Sequence, residues 1–267
     1  LIGANFSSAN LQKADLTGGI QGQGANFLIA QLQGADLTGA QLQFADFSSA
    51  GMQGIGFNYA SLQAAVLRDG DLEGANMQQA KLQGADLTGA KMAGADMRYA
   101  EVWSTQPPSA DFMALSDLTN LQLSPPSEGD RQSMRRAIDR IGNARTRTLV
   151  AEALAPLMEE NPGAGWGKSA EMARWTAMAS ASKAGAADPA YRAQLTEFLS
   201  LGMCRPRWSQ GSVATGIARR AQSSLFQGDM VSIYQRLNGD GCSAAKGMAG
   251  KAMRELAAAV DLARSGN

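Results

Sequence analysis

Along residues 25–104 the apolar positions recur at every fifth residue, without a gap, for sixteen consecutive units. The run opens with Ala25-Asn26-Phe27-Leu28-Ile29 and closes with Ala100-Glu101-Val102-Trp103-Ser104. The first position is nearly always Ala, the third is Leu, Phe, Met or Val throughout, and the others are mostly small or polar. A period of five matches neither the 3.6-residue face of a helix nor the alternation of a strand. It matches a chain that turns a corner every five residues, so that four units close one square coil and the next coil stacks upon it. Residues twenty apart then superpose, and the inward columns can be read off: Phe27, Phe47, Leu67, Leu87; Leu32, Met52, Leu72, Met92; Leu37, Phe57, Met77, Met97; and Leu42, Leu62, Leu82, Val102. Every member is apolar, and Ala supplies the second, smaller inward side chain that a narrow tube requires. Adjacent coils are expected at the usual interstrand spacing of about 4.8 Å. Three more units occupy residues 4–18, and a six-residue unit, 19–24, predicts a glycine bulge at one corner.

This pattern resembles the pentapeptide-repeat family, whose motif is Ala-(Asp/Asn)-Leu-X-X, over roughly residues 4–104. The resemblance implies a right-handed quadrilateral β-helix, here of about five coils stacking to roughly 24 Å. It implies fold far more strongly than function. Some members resemble a DNA duplex in size and charge and bind DNA gyrase, giving fluoroquinolone resistance. A rod of roughly 24 Å would have to match about fourteen duplex charges. Residues 1–104 carry nine acidic and five basic residues, a net of −4. The column Asp15, Asp36, Asn76, Asp96 suggests such mimicry but is broken by Gly56.

From Gln106 the motif fails. Pro107-Pro108 and Pro125-Pro126 bracket a segment that still echoes the repeat, which predicts a degenerate edge near Phe112 and Leu118 that caps the open end. Beyond Ser127 the apolar period becomes helical. Met134, Ala137, Ile138 and Ile141 mark one helix; Leu149, Val150, Ala153, Leu154 and Leu157 mark a second that Pro156 kinks or ends. Ser169 to Lys183 forms a third, and Asp188-Pro189 starts a fourth. Ser212 opens another, Met230 to Leu237 is short, and Ser243 to Ala263 closes the chain. The expected organisation is a β-solenoid at 1–104, a Pro-rich linker and cap at 105–127, and an all-α domain at 128–267.

Charge and chemistry narrow the function. The whole chain is formally neutral, so residues 105–267 carry +4 against the −4 of the repeats. There is no histidine, which removes the commonest general base and metal ligand. No nucleotide loop, zinc spacing or nucleophile elbow occurs. The carboxylates at the second motif position are expected on a solvated convex surface, where no two converge in a cleft. The chain therefore reads as a non-enzyme without catalytic residues, cofactor or metal. The basic cluster Arg131, Arg135, Arg136, Arg140, Arg145 and Arg147 is interrupted by Asp130 and Asp139 and reads as a solvated face rather than a nucleic-acid site.

Cys204 and Cys242 are the sole cysteines, each in a break between predicted helices. They pair as a disulfide in an oxidising compartment or remain reduced as small buried hydrophobes. The layout of Cys204-Arg205, Gly216-Ile217-Ala218-Arg219-Arg220, Cys242 and Ala245-Lys246-Gly247 is similar to helical tails of larger membrane-anchored bacterial repeat proteins. The chain opens on Leu1 in mid-pattern without Met, which predicts a fragment of a longer protein, with membrane contact only through the missing N-terminal part. No run approaches the ~20 apolar residues of a membrane span, which favours the cytoplasm, with the periplasm or a membrane tether as the alternative if the cysteines are bonded.

What is left is recognition. Leu28, Ile29, Phe44, Tyr59 and Tyr99 are large apolar or aromatic residues on outward positions, and they form the candidate partner surface unless the C-terminal domain covers them. The Gln columns, Gln12, Gln33, Gln53, Glu73 and Gln43, Gln63, Gln83, are expected to bond to one another and to water. The leading expectation is a non-catalytic scaffold for a protein partner. The alternatives are a gyrase-binding DNA mimic and a structural module of a membrane-tethered protein.

Overall fold

The computed structural model describes residues 1–159, 166–186, 188–205, 211–222, 227–239 and 241–265. The five-residue period becomes a ladder of parallel bridges. Gln21 pairs with Gln41, Asn26 with Asp46, Gln31 with Gly51 and Asp36 with Gly56, and the twenty-residue offset repeats up to the pair Asp86 and Gln106. Four units therefore complete one turn. The side chains of all four inward columns are fully excluded from solvent, as are the flanking alanines, apart from a trace at Ala50. Phe6, Phe27 and Phe47 stack face to face at centroid distances of 5.1 and 4.7 Å, and Phe57 meets Phe47 edge-on at 5.5 Å.

The ladder differs from the expected β-helix in having no extended strand among the described residues; each side carries one isolated bridge. The reason is the turn at each corner. The N–H of Ala30 donates to the carbonyl of Phe27 at 2.9 Å, that of Ala35 to Leu32 at 2.9 Å and that of Ala40 to Leu37 at 3.0 Å, so each turn consumes the third to fifth residues of its unit. The fifth residue lies at positive φ, for example +57° at Ile29, +63° at Gly34 and +59° at Tyr59, as position i+2 of a type II turn demands.

The second motif residue has a role that the reading of solvated carboxylates missed. Its side-chain oxygen accepts the backbone N–H two residues on: Asp15 from Thr17 at 3.2 Å, Asn26 from Leu28 at 2.8 Å, Asp46 from Ser48 at 2.9 Å and Asp86 from Thr88 at 3.0 Å. Asp and Asn are selected because they satisfy a turn N–H that no coil reaches. Hydrogen bonds from the Thr17 hydroxyl and N–H accordingly hold the Asp15 carboxyl below its ordinary value. The Gln columns also differ from expectation. Gln12 donates to Gln31 at 2.9 Å, Gln23 to Gln41 at 3.1 Å, Gln53 to Asp71 at 2.5 Å and Gln78 to Asp96 at 2.8 Å, all diagonally to the bridge residue of the next coil rather than along the column.

Two insertions shift the register by one residue. The first lies at Gly18 and Gly19, both at positive φ, where Asp15 pairs with Asp36. The second lies in the 3-10 turn Ala110–Met113, after which Asp96 pairs with Asp117 and Glu101 with Gln122. The degenerate segment around Phe112 and Leu118 thus continues the ladder.

Seven α-helices follow among the described residues: α1 (Glu128–Asp139), α2 (Ala144–Leu154), α3 (Ala170–Ala186), α4 (Pro189–Cys204), α5 (Ser212–Ala221), α6 (Gln227–Leu237) and α7 (Gly250–Ser265). Ser127 and Asp130 form a capping box on α1, Asn143 caps α2, and the Asp188 carboxylate accepts the Ala190 N–H at the start of α4. Pro156 lies in the 3-10 turn that ends α2. The helix expected from Ser243 to Ala263 is instead a 3-10 turn, Ser243–Gly247, followed by α7. The sequence placed the start of α5 at Ser212, and its N-cap is Gly211 at φ +83°.

Candidate interaction surface

The outward surface of the ladder is organised by the fifth residue of each unit, which forms four corner columns. Two opposite columns are covered by helices and two are open.

The first covered column is Gly34, Gly54, Gly74, Gly94. Helix α5 lies directly on it. A Cβ at Gly34 would sit 1.7 Å from the Ser212 carbonyl oxygen, and one at Gly216, on α5, would sit 1.7 Å from the carbonyl oxygen of Gly54. Backbone meets backbone here, and no side chain fits on either side. Higher up, Ile217 and Leu199 reach Gly74, while Phe198 and Leu195 reach Gly94. The opposite covered column includes Gly24, Phe44, Ala64 and Gly84. Thr146 and Val150 of α2 approach Gly24, and Leu157 approaches Gly84. Phe44 and Ala64 pack against the cluster of Met134, Ile141, Val150 and Leu154. Between the two arms α3 crosses the end of the ladder. Its Trp175 is fully buried and donates to the Thr105 carbonyl at 3.0 Å, Arg174 donates to the Pro108 carbonyl at 2.7 Å, and Ser182 donates to the Ser116 carbonyl at 3.0 Å. The helical region therefore clamps the solenoid on two sides, while α4 to α7 also share a core of their own around Leu199, Ile217, Ile233 and Leu256.

Charged contacts fasten the α5 arm. Arg219 donates to the Gly34 carbonyl at 2.9 Å and lies 3.6 Å from Asp36. Arg220 is buried, donates to the Gly94 carbonyl and lies 4.0 Å from the buried Asp96, which Arg98 also contacts at 2.8 Å. Burial pulls the Arg220 guanidinium below its ordinary value, with Asp96 opposing. Beside them Tyr191 donates to the Leu115 carbonyl at 2.9 Å, and burial pushes its hydroxyl up to about 12. On the other arm Lys81 pairs with Asp130 of the α1 capping box. Burial raises the Asp130 carboxyl, but hydrogen bonds from Lys81 and Ser127 outweigh it and hold it below the ordinary 3.8. Of the basic cluster, Arg131 and Arg135 pair with Glu128 at 2.9 and 3.2 Å.

The five candidate surface residues separate accordingly. Phe44 is withdrawn beneath α2. Ile29 is 57% exposed, Tyr59 58% and Tyr99 43%, and Leu28 is half-buried beside Ile29. Ile29 stands on one open corner; Tyr59 and Tyr99 stand on the other, with Gln79 between them. The sequence missed the glycine seam, although Gly34, Gly54, Gly74 and Gly94 recur at the twenty-residue offset of the ladder and were legible as a column.

Cys204, at the end of α4, and Cys242 form a disulfide with a Cα–Cα distance of 4.9 Å across a sequence separation of 38. The bond ties α4 to the 3-10 turn that precedes α7. Closing a loop of that length typically stabilises the folded state by about 2–4 kcal/mol, mainly by constraining the unfolded chain. No helix among the described residues is long and apolar enough to cross a membrane.

Residues 1–19, 23–54 and 60–98 match the family model of pentapeptide repeats, in eight copies. Among solved structures, HetL, a pentapeptide repeat protein involved in heterocyst differentiation regulation in the cyanobacterium Nostoc sp. strain PCC 7120, is 28% identical. That match covers 45% of this chain and 52% of HetL, with a TM-score of 0.31, so the chain spans about half the length of that relative. Another pentapeptide repeat protein from Nostoc PCC 7120 is 30% identical over 45% of this chain and 84% of its own, with a TM-score of 0.18. QnrB1, a plasmid-mediated fluoroquinolone resistance protein, is 22% identical over 57% and 83%, with a TM-score of 0.29. No curated protein matches the sequence. The repeat pattern, its bridge ladder and the family match agree: through its N-terminal repeats, the chain belongs to the pentapeptide-repeat family.

Proposed function

We propose that the protein is a non-catalytic interaction scaffold whose protein partner docks on the open corners of the solenoid. Residues 1–104 act as the display rod, 105–127 as its end cap and 128–267 as the clamp. In this reading the rod is a right-handed quadrilateral β-helix of about five coils. The observation that carries the proposal is the contrast between corners: where the clamp covers the ladder the fifth residue is mostly small, and where nothing covers it Ile29, Tyr59 and Tyr99 stand out into solvent. A bulky residue at positive φ costs about 1–2 kcal/mol relative to Gly, so its presence on an uncovered corner calls for a use. The partner stays unidentified, and the Ile29 corner is its first candidate dock.

The test is a photo-crosslinking residue at position 29, with one at position 44 as the control. Crosslinking of a defined protein from position 29 and none from position 44 is expected; equal capture from both sites would contradict the reading.

The gyrase-binding alternative is weakened by the pairing of acids on the rod, since Asp36, Asp86 and Asp96 each face an arginine. The same rod should leave gyrase supercoiling unaffected. A second reading, a module of an envelope or membrane-tethered protein, draws support from the Cys204–Cys242 bond, because such bonds persist in oxidising compartments. Mass measurement of the protein from its native cell, with and without reduction before alkylation, distinguishes a bonded pair from free thiols.

A further inference from the structure

The open corner that carries Tyr59 and Tyr99 has features a protein dock does not require. Tyr59, Gln79, Lys81, Tyr99, Glu101 and Gln122 line a shallow cleft of about 300 Å³ that runs along the solenoid axis. The two tyrosines occupy the same backbone position two coils apart, at φ +59° and +61°. At the usual coil spacing their rings start about 10 Å apart, which is commensurate with the two-sugar repeat of an extended β-1,4-linked glycan. Gln79 lies in the intervening coil and its amide donates to the Tyr59 hydroxyl at 3.4 Å. Lys81 is neutralised by Asp130, so the cleft offers no uncommitted lysine to a phosphate or carboxylate. Besides Lys81 and the two tyrosine hydroxyls, its polar groups are the side-chain amides of Gln79 and Gln122 and the Glu101 carboxylate, which accepts from Gln83.

We propose that this corner binds a neutral β-1,4-linked N-acetylhexosamine chain, with every second sugar seated on a tyrosine. A pyranose ring presents a C–H face that covers an aromatic ring, while its edge presents hydroxyls to flanking polar side chains. The N-acetyl groups supply one amide donor and one amide acceptor each, complementary to Gln79 and Gln122. Tyrosine suits the task because it offers a large amphipathic surface with only two side-chain torsions to fix. The backbone that carries each ring is held by the ladder: the Tyr59 N–H donates to the Gln78 carbonyl at 2.9 Å and the Tyr99 N–H to the Thr119 carbonyl at 3.3 Å. The strain at both positions is consistent with selection for the side chain, since Gly39 serves the same column one coil below Tyr59.

This inference goes beyond the scaffold reading and does not rest on it. Failure here leaves the Ile29 corner and its crosslinking test untouched. The experiment is calorimetric titration of the whole chain with β-1,4-linked N-acetylglucosamine dimers and hexamers, and with glucose hexamers as the comparison. The hexamer of N-acetylglucosamine is expected to bind at least tenfold more tightly than the dimer, which cannot span both rings, and more tightly than the glucose hexamer. Tyr59→Gly and Tyr99→Gly keep the backbone geometry and should each weaken hexamer binding at least tenfold, whereas Ile29→Gly should not change it. Moving one ring by a coil, with Gln79→Tyr and Tyr99→Gly together, should abolish the preference for the hexamer. No binding of the N-acetylglucosamine hexamer, binding that survives loss of both tyrosines, or equal or tighter binding of the glucose hexamer would overturn the proposal.

Discussion

The column Gly34, Gly54, Gly74, Gly94 and the column that holds Gly39, Tyr59, Gln79 and Tyr99 occupy equivalent backbone positions, with the same turn and φ values between +55° and +70°. One is buried under α4 and α5 and the other faces water. The turn alone prefers glycine but tolerates a side chain at modest cost. What makes glycine compulsory at Gly34 and Gly54 is the second demand, close approach by the α5 backbone, whereas side chains of α4 and α5 close over Gly74 and Gly94. The contrast shows that the repeat motif sets the coil while the departures from it record what touches each corner.

The comparison breaks first at the seam. Gly216→Leu places a side chain where the carbonyl of Gly54 already stands, so α5 should detach with a loss of more than about 4 kcal/mol from the helical region. Chemical denaturation followed by circular dichroism should show the helical signal melting early while the coil persists. Next in size is Arg220→Ala, which leaves the buried Asp96 with Arg98 but without the clamp's own charge, for an expected cost of about 3 kcal/mol by the same measurement. Reduction of Cys204–Cys242 should then cost about 2 to 3 kcal/mol, confined to the helical region, as read by limited proteolysis with and without reductant.

How far these features could be read in advance depends on the distance between cause and effect. The inward columns and the offset of twenty follow from local periodicity, because each apolar residue faces the tube whatever lies outside it. The helices from α1 to α4 were legible from their apolar spacing and from Asp188-Pro189, since caps and periods are local signals. The separation of Phe44 from Tyr59 was not legible. Both are aromatic fifth residues, and the cover over Phe44 comes from α2, about a hundred residues further along the chain. The use of Asp and Asn in the turn was missed for another reason: a carboxylate on an outward position reads as solvated until the N–H it accepts is located.

Acid should sharpen the contrast between the two arms. The Asp130 carboxyl is held below its ordinary 3.8, so its contribution is present above that pH and is lost as pH falls through the lower folded value. Below pH 4 the α1 arm should therefore loosen from Lys81, and Asp130→Asn should flatten that part of the acid-denaturation profile. The smallest effect belongs to the open corner: Tyr59→Gly should change stability by no more than about 1 kcal/mol, because relief of the left-handed backbone offsets the lost side chain and the added freedom of the unfolded chain. A loss well beyond that in thermal melting would mean that the exposed ring has a structural contact after all.

The central claim is that the helices clamp two opposite corners and leave the other two open. Hydroxyl-radical footprinting of the intact chain, read by mass spectrometry residue by residue, tests it most directly. The account predicts rapid oxidation of Ile29, Tyr59 and Tyr99 and protection of Phe44, Phe198 and Trp175. Oxidation of Phe44 and Trp175 at the rate of Tyr59 would contradict it, because the helices would then stand away from the solenoid.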